Sequence, residues 1–229
     1  MKILLIDTCG ETGSIALADL LPEPTFLATA TLPGRTASER LLPTIRDLAA
    51  PLETLDAVVV VNGPGSFTGV RVGLSAAKGL CEALHRPLIA ISRLAVLAHP
   101  TGLSATATRI HAVLDAGRGE FYSGVYVDGV CLREALLTHD ELLAAAQTQP
   151  QVTVVCETAV AASLTILAPR LVDPPTAASA LPLAVRRIQD EAFDDIATLD
   201  ANYLRRTDAE IFAKPRPAKN LHPTGASVS

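Results

Sequence analysis

A chain of 229 residues fits one large domain or two small ones and is long enough to bury a sizeable core. Hydrophobic residues make up 49% and charged residues 19%, which excludes a disordered chain and points to apolar surface reserved for a partner. The net charge of −5, with no basic stripe before the tail, excludes a protein that holds nucleic acid unaided. No window approaches the ~18 apolar residues of a membrane span. The apolar run from Met1 ends at Asp7, too early for a signal peptide. Cys9, Cys81, Cys131 and Cys156 are scattered, with no CxxC pair and no zinc spacing, so free thiols in a cytoplasmic protein are expected.

Lys2–Thr8 reads as an apolar strand, Gly10-Glu11-Thr12-Gly13 as a turn, and Ser14–Asp19 as the strand that completes a hairpin. Thr25–Thr31 is a third strand. Thr36-Ala37-Ser38-Glu39 has the form of a capping box, with the Thr36 hydroxyl on an orphan N–H and Glu39 reaching back. Leu41, Leu42, Ile45, Leu48 and Ala49 then follow at helical spacing, with Pro43 in the first turns or at a kink. Asp56–Val61 is a β-branched run suited to a buried strand, and Val70–Leu84 is a second helix. Pro87–Ile91 is another strand, followed by a short helix from Ser92 to Ala98. Pro100–Thr108 is rich in Thr, Ser, Gly and Pro and marks a lobe boundary.

The second half repeats this grammar. Arg109–Asp115, Phe121–Asp128 and Val130–Leu137 read as strands, and Thr138-His139-Asp140-Glu141 is a second capping box opening a helix to Ala146. Val152–Cys156 is a strand, and Thr158–Ala168 and Thr176–Glu191 are helical. Ile6-Asp7-Thr8, Gly10-Glu11 and Ser14 overlay on Leu114-Asp115-Ala116, Gly119-Glu120 and Ser123 with one residue inserted. Two copies imply two lobes of similar topology. That is the pattern of the two-lobed α/β actin/Hsp70/sugar-kinase (ASKHA) fold. The predicted lobes are 1–104 and 105–213, with the helix around 176–191 a candidate to pack back on the first lobe, and 214–229 a flexible tail.

The most specific segment runs from Asn62 through Gly63-Pro64-Gly65-Ser66-Phe67-Thr68-Gly69 to Gly73. It lacks the Gly-Lys-Ser/Thr ending of a P-loop and is no dinucleotide fingerprint. Two readings stand: backbone N–H groups at a helix N-terminus that hold a phosphate, or a tight structural turn. Asp7, Thr8, Gly63, Gly65, Ser66 and Thr68 form this candidate phosphate or interface loop. Behind it, Gly69, Gly73, Ala77 and Cys81 recur every fourth residue. Each helical glycine costs roughly 0.5–1 kcal/mol relative to alanine, so the stripe looks like a packing requirement. It serves either the chain's own sheet and first helix or a partner's helix.

Ile6-Asp7-Thr8, the Gly-Pro-Gly-Ser-Phe-Thr-Gly-Val-Arg-Val-Gly segment of 63–73, Ala77-Lys78-Gly79-Leu80, Asp115-Ala116 with Gly119-Glu120, and Tyr203-Leu204-Arg205 together resemble the bacterial TsaB (YeaZ) family from residue 1 to about 206. The resemblance implies a non-catalytic partner of TsaD in forming N6-threonylcarbamoyladenosine in ANN-decoding tRNAs, with the ATPase TsaE joining the complex. It implies a heterodimer, a homodimer when the chain is alone, and contact with tRNA only through the complex. It implies no cofactor of the chain's own, any ATP or ADP lying on the partner or at the shared interface. The implied partner surface is Leu41, Leu42, Ile45, Leu48, Gly69, Val70, Gly73, Leu74, Ala77 and Cys81. On that reading Gly73→Leu abolishes the heterodimer and leaves the chain folded. One departure stands out: the family often carries His before the Ser-Glu of the first helix, where this chain has Ala37.

The residues themselves argue against catalysis. His85, His99, His111, His139 and His222 include no His-x-x-x-His metal pair. Val154-Val155-Cys156-Glu157-Thr158-Ala159 has no glycine where nucleotide-binding members of the fold bring backbone to adenosine. No Ser/His/Asp or Cys/His pairing stands out. The competing enzyme readings are an ATP-dependent kinase or phosphotransferase of the same fold, which would bind Mg-ATP tightly, and a peptidase. Asp7 and Asp115 are expected chiefly to cap turns.

Overall fold

The computed structural model describes residues 1–99, 109–146 and 151–204. The expected lobe boundary at 100–108, Arg205, His222 and the tail from Lys214 lie outside the described residues. The first half contains β1 (Lys2–Asp7), β2 (Thr12–Asp19), β3 (Thr25–Pro33), α1 (Ala37–Ala49), β4 (Ala57–Val61), α2 (Phe67–Leu84), β5 (Leu88–Ile91) and α3 (Arg93–Ala98). The second contains β6 (Arg109–Gly117), β7 (Glu120–Val127), β8 (Val130–Thr138), α4 (His139–Ala146), β9 (Val152–Val155), α5 (Thr158–Ser163), β10 (Arg170–Leu171) and α6 (Leu181–Gln189).

The two five-stranded sheets have the same order, β3-β2-β1-β4-β5 and β8-β7-β6-β9-β10. In each, the first three strands are antiparallel and the rest run parallel to the first. The duplication is therefore real, and the fold is the two-lobed ASKHA-like α/β architecture. β10 is too short and too exposed to carry a hydrophobic signal, and the sequence gives no sign of it.

Burial follows the period-two rule of strands. Leu4 and Ile6 of β1, with Val58 and Val60 of β4, face α1 and α2. Ile3 and Leu5, with Val59 and Val61, face the other way onto α3 and α6. Both faces of β1 and β4 are covered, which explains their unbroken apolar runs. α3 lies between the sheets: Val96 joins the first lobe's core, while Leu94 and Leu97 pack with Ala112, Tyr122 and Val154 of the second. α4 and α5 close the far face through Leu142, Val160 and Leu164.

Ala177, Ala180, Leu181 and Ala184, in the segment leading into and through α6, pack on the first sheet. The chain then runs back along the same lobe as a strap. Asp194 accepts from the Ala90 amide at 2.7 Å, Lys78 donates to the Leu199 carbonyl at 2.5 Å, and the Asn202 amide donates to the Asn62 carbonyl at 2.8 Å. Glu134 of β8 clasps the lobes together. It accepts from the Ser92 hydroxyl ahead of α3 at 2.5 Å, from the Tyr126 hydroxyl, and from the Asn202 side-chain amide at 2.6 Å.

Two local expectations need correction. Thr36 is the N-cap of α1, but its hydroxyl donates to the Pro33 carbonyl at 3.2 Å and caps no amide, because a 3-10 turn over Gly34–Thr36 precedes the helix. The second capping box does form: the Thr138 amide donates to Glu141 at 2.9 Å and the Glu141 amide to the Thr138 hydroxyl at 3.4 Å. Ser123 is not the counterpart of Ser14. Ser14 pairs with Asp7, whereas a bulge after Asp115 pairs Asp115 with Phe121 and leaves Ser123 opposite Val113.

Ser123 instead lies 2.7 Å from Nε2 of His111, whose Nδ1 is 3.3 Å from the Gln151 amide. His111 is fully buried, and burial lowers its pKa to about 4. The unfolded chain takes up this proton near pH 6.5 and the folded chain only near pH 4, so stability falls as pH falls through that window. The loss is on the order of 3 kcal/mol once pH lies below about 4. Urea unfolding of the wild type and His111→Gln between pH 7 and pH 4.5 is expected to show a steeper decline in the wild type; parallel declines would exclude His111 as the cause.

Candidate functional site between the lobes

The parallel strands of both sheets end at one cleft of about 1100 Å³. Crevices at the carboxyl ends of strands are where α/β sheets place ligands. Asp7 ends β1, the glycine loop follows β4, Arg93 follows β5, Asp115 lies at the end of β6, and Glu157 follows β9.

The glycine loop serves the chain itself. Gly63 has φ +106°, and its carbonyl accepts from the Arg93 amide at 2.6 Å. The Ser66 amide donates to the Cys9 carbonyl at 2.8 Å, the Gly69 amide to the Ser66 hydroxyl at 3.3 Å, and the Val70 amide to the Ser66 carbonyl at 2.8 Å. The Ser66, Gly69 and Val70 N–H groups are thus already bonded within the chain, which favours the structural-turn reading. A Cβ on Gly65 would overlap the Cys9 carbonyl, one on Gly69 the Thr8 carbonyl, and one on Gly73 the Thr8 hydroxyl. Thr8 in turn donates to the Gly69 carbonyl at 2.5 Å.

This places the small-residue stripe inside the lobe. Leu41, Ile45, Val70, Gly73, Leu74, Ala77 and Cys81 are buried against the chain's own sheet, so they are not surface. Gly69 and Leu48 are half-buried, and Leu42 is 56% exposed. The exposed face of α2 lies on the opposite side of the helix from the stripe. α2 shows Arg71, Ser75, Gly79 and Ala83 to solvent at the same four-residue spacing. At the cleft rim, Phe67 is 56% exposed and packs beside Tyr203 with ring centroids 5.4 Å apart. The Arg71 guanidinium lies 3.7 Å from the Phe67 ring centre and donates to the Tyr203 hydroxyl at 2.6 Å. Ser66 and Thr68 are exposed beside them.

The two aspartates do the same local work. Asp7 accepts from the Cys9 amide at 2.8 Å and Asp115 from the Gly117 amide at 2.7 Å, each two residues on. Asp7 is buried, which raises its pKa, with Arg93 opposing. Arg93 and Glu157 also line the cleft. Sequence reasoning named neither as a site; the available signal was their position just after the carboxyl ends of buried strands. Burial raises every thiol: Cys81 and Cys156 reach about 12, and Cys9 and Cys131 shift the same way. Among the described residues, no group of three or more His, Cys, Asp or Glu side chains is placed to hold a metal. No described helix is long and apolar enough to cross a membrane.

Residues 32–215 match the family model for TsaD, tRNA N6-adenosine threonylcarbamoyltransferase. The tRNA threonylcarbamoyladenosine biosynthesis protein TsaB of Escherichia coli (strain K12) is 37% identical over 130 residues, 55% of each chain. TsaB of Bacillus subtilis (strain 168) is 40% identical over 136 residues, again 55% of each. YeaZ from Pseudomonas aeruginosa superposes with a TM-score of 0.70 at 27% identity, covering 89% of this chain and 99% of that one. A second Pseudomonas aeruginosa structure, described as similar to peptidase YeaZ, gives 0.72 at 29% identity with the same coverage.

The chain belongs to this family, on its TsaB (YeaZ) branch.

The chain spans about half the length of the curated TsaB relatives it matches. The segment that carries the TsaB resemblance, Gly63 to Gly73, is the one that locks α2 to the end of β1. Gly73→Leu is therefore expected to destabilise the chain itself, by about 1–3 kcal/mol or more, because its side chain must enter the space held by Thr8. A urea midpoint unchanged from wild type would mean that α2 does not approach β1 this closely.

Proposed function

We propose that this chain is a non-catalytic subunit in the formation of N6-threonylcarbamoyladenosine in ANN-decoding tRNAs. It acts by docking a TsaD-type transferase through the outer faces of α1 and α2. The names of its TsaB relatives support the pathway. The match to a TsaD family model supports pairing between two like folds, which offer each other similar surfaces. By the same symmetry the free chain pairs with itself, and the heteromer replaces that pair. TsaE joins the assembly, and tRNA is reached only through it, in the cytoplasm.

Gly79 is the observation that carries the surface. It sits in the middle of an exposed helical face, and a Cβ built on it meets nothing within 4 Å. Nothing in the described chain needs this glycine, although it costs α2 roughly 0.5–1 kcal/mol relative to alanine. A partner backbone lying along Arg71, Ser75, Gly79 and Ala83 explains it. Exposed Leu42 and the Phe67–Arg71–Tyr203 cluster supply the apolar, aromatic and arginine side chains that interface centres favour. The protonated thiols and the carboxylates lining the cleft support a docking role over a kinase or peptidase role.

Gly79→Ala is expected to stabilise the isolated chain by about 0.5–1 kcal/mol. Gly79→Leu is expected to keep the wild-type circular dichroism spectrum and melt, yet weaken the complex with TsaD of the same organism at least tenfold by light scattering. An unchanged complex with the Leu variant would remove this face from the proposal.

A further inference from the structure

At the floor of the cleft, two groups of opposite charge, Arg93 and Glu157, each keep one buried polar atom without a hydrogen-bond partner, although Cys156 bonds Glu157 and Asp7 lies in the field of Arg93. Arg93 makes no ion pair among the described residues, and its Nε is buried with no hydrogen-bond partner. Its guanidinium lies over the first hairpin turn, with Nη2 2.8 Å from where a Gly10 Cβ would sit. Across the cleft, Glu157 Oε2 is likewise buried and unpartnered. Asp115 is exposed on the same wall. We propose that the cleft binds a small zwitterion, an α-amino acid, with its carboxylate on Arg93 and its ammonium between Asp115 and Glu157.

The chemistry selects this class over its neighbours. Glu11, Asp115 and Glu157 are three carboxylates lining a cleft in which Arg93 is the only cation among the lining residues. A polyphosphate would meet net negative charge, with the Ser66, Gly69 and Val70 amides of the loop already bonded within the chain. A simple cation would be repelled by Arg93, and a simple anion by the carboxylates around it. A zwitterion answers both signs at once. The fields agree: burial raises the Glu157 pKa, and both the Arg93 cation, which lowers it, and the Asp115 carboxylate, which raises it, act on the same group. The position agrees as well, since all three side chains stand at the carboxyl ends of parallel strands. The cleft volume of about 1100 Å³ leaves room for any amino-acid side chain beyond these contacts. This site is separate from the outer faces of α1 and α2, so failure of the docking proposal leaves it standing.

Calorimetric titration of the full chain with the proteinogenic L-α-amino acids tests it. Each is compared with its carboxamide, which removes the negative charge, and its α-hydroxy acid, which removes the positive one. Saturable binding is expected for at least one amino acid, at least tenfold tighter than either analogue. Arg93→Gln is expected to erase the preference over the carboxamide, and Glu157→Gln the preference over the hydroxy acid. These preferences are ratios within one folded variant, so a modest loss of stability does not confuse them. Absence of binding by every amino acid would overturn the proposal and leave Arg93 and Glu157 as a solvent-bridged structural pair. Saturable Mg-ATP binding in its place, or preferences unchanged in both variants, would overturn it too.

Discussion

The close approach of α2 to the end of β1 governs the rest of the molecule. Gly65, Gly69 and Gly73 let the loop and helix rest on the backbone of Cys9 and on Thr8, where any Cβ would intrude. The Ser66 amide and the Thr8 hydroxyl lock the contact from both sides. With α2 fixed against β1, its opposite face is presented outward at a defined height above the sheet. The same contact holds the Cys9–Gly13 turn at the cleft mouth. One packing joint thus positions both the surface proposed for a partner and one wall of the proposed ligand site. The four-residue spacing is read twice: inward for packing at Gly69 and Gly73, and on the opposite side of the helix, at Ser75 and Gly79, outward.

The two lobes share a topology but have diverged in how their ends are used. Both Asp7 and Asp115 close a turn on the amide two residues ahead, so the duplicated aspartates are explained by local hydrogen bonding. In the first lobe the aspartate is buried beneath the joint. In the second a bulge lifts its counterpart to the cleft surface. The glycine loop has no copy after β9; Cys156 and Glu157 stand there, and they turn a place for backbone contacts into a place for a carboxylate. Divergence at strand ends with conservation of strand order is what a duplicated fold permits, because the strand interiors carry the core and the ends do not.

Most strands, the duplication and the main helices were legible in the sequence because buried parallel strands and amphipathic helices write themselves as runs and periods. The side of α2 that faces the core was not. Gly69, Gly73 and Ala77 look the same whether they meet a sheet or a partner, and only the position of Thr8 decides. The equivalence of Ser14 and Ser123 failed because a bulge shifts register without altering hydrophobic pattern. Arg93, Glu134 and Asn202 gave no signal as a group, because their meeting depends on how α3 and the strap cross the lobes. A hydrogen-bond clasp between residues 110 positions apart, such as Ser92 and Asn202, has no local trace.

That clasp bears on how such a molecule works. Members of a two-lobed fold that act on a ligand by closing over it need lobes free to rock. Here α3 shares its sides between both cores, Glu134 ties β8 to the start of α3 and to the strap, and the strap is bonded along the first lobe from Ala90 to Asn62. Relative rotation of the sheets would break a half-buried carboxylate's bonds to Ser92, Tyr126 and Asn202 together, and charge-assisted bonds of that kind are worth about 1.5–3 kcal/mol each. The cleft is therefore a fixed cavity with fixed charges, and its rim at Phe67, Arg71 and Tyr203 is a fixed surface joined to the same strap. A ligand held on Arg93 would then act on a docked partner through the residues that line both the cleft and its rim, Ser66 to Gly69 and Asn202 to Leu204, and not through closure of the lobes.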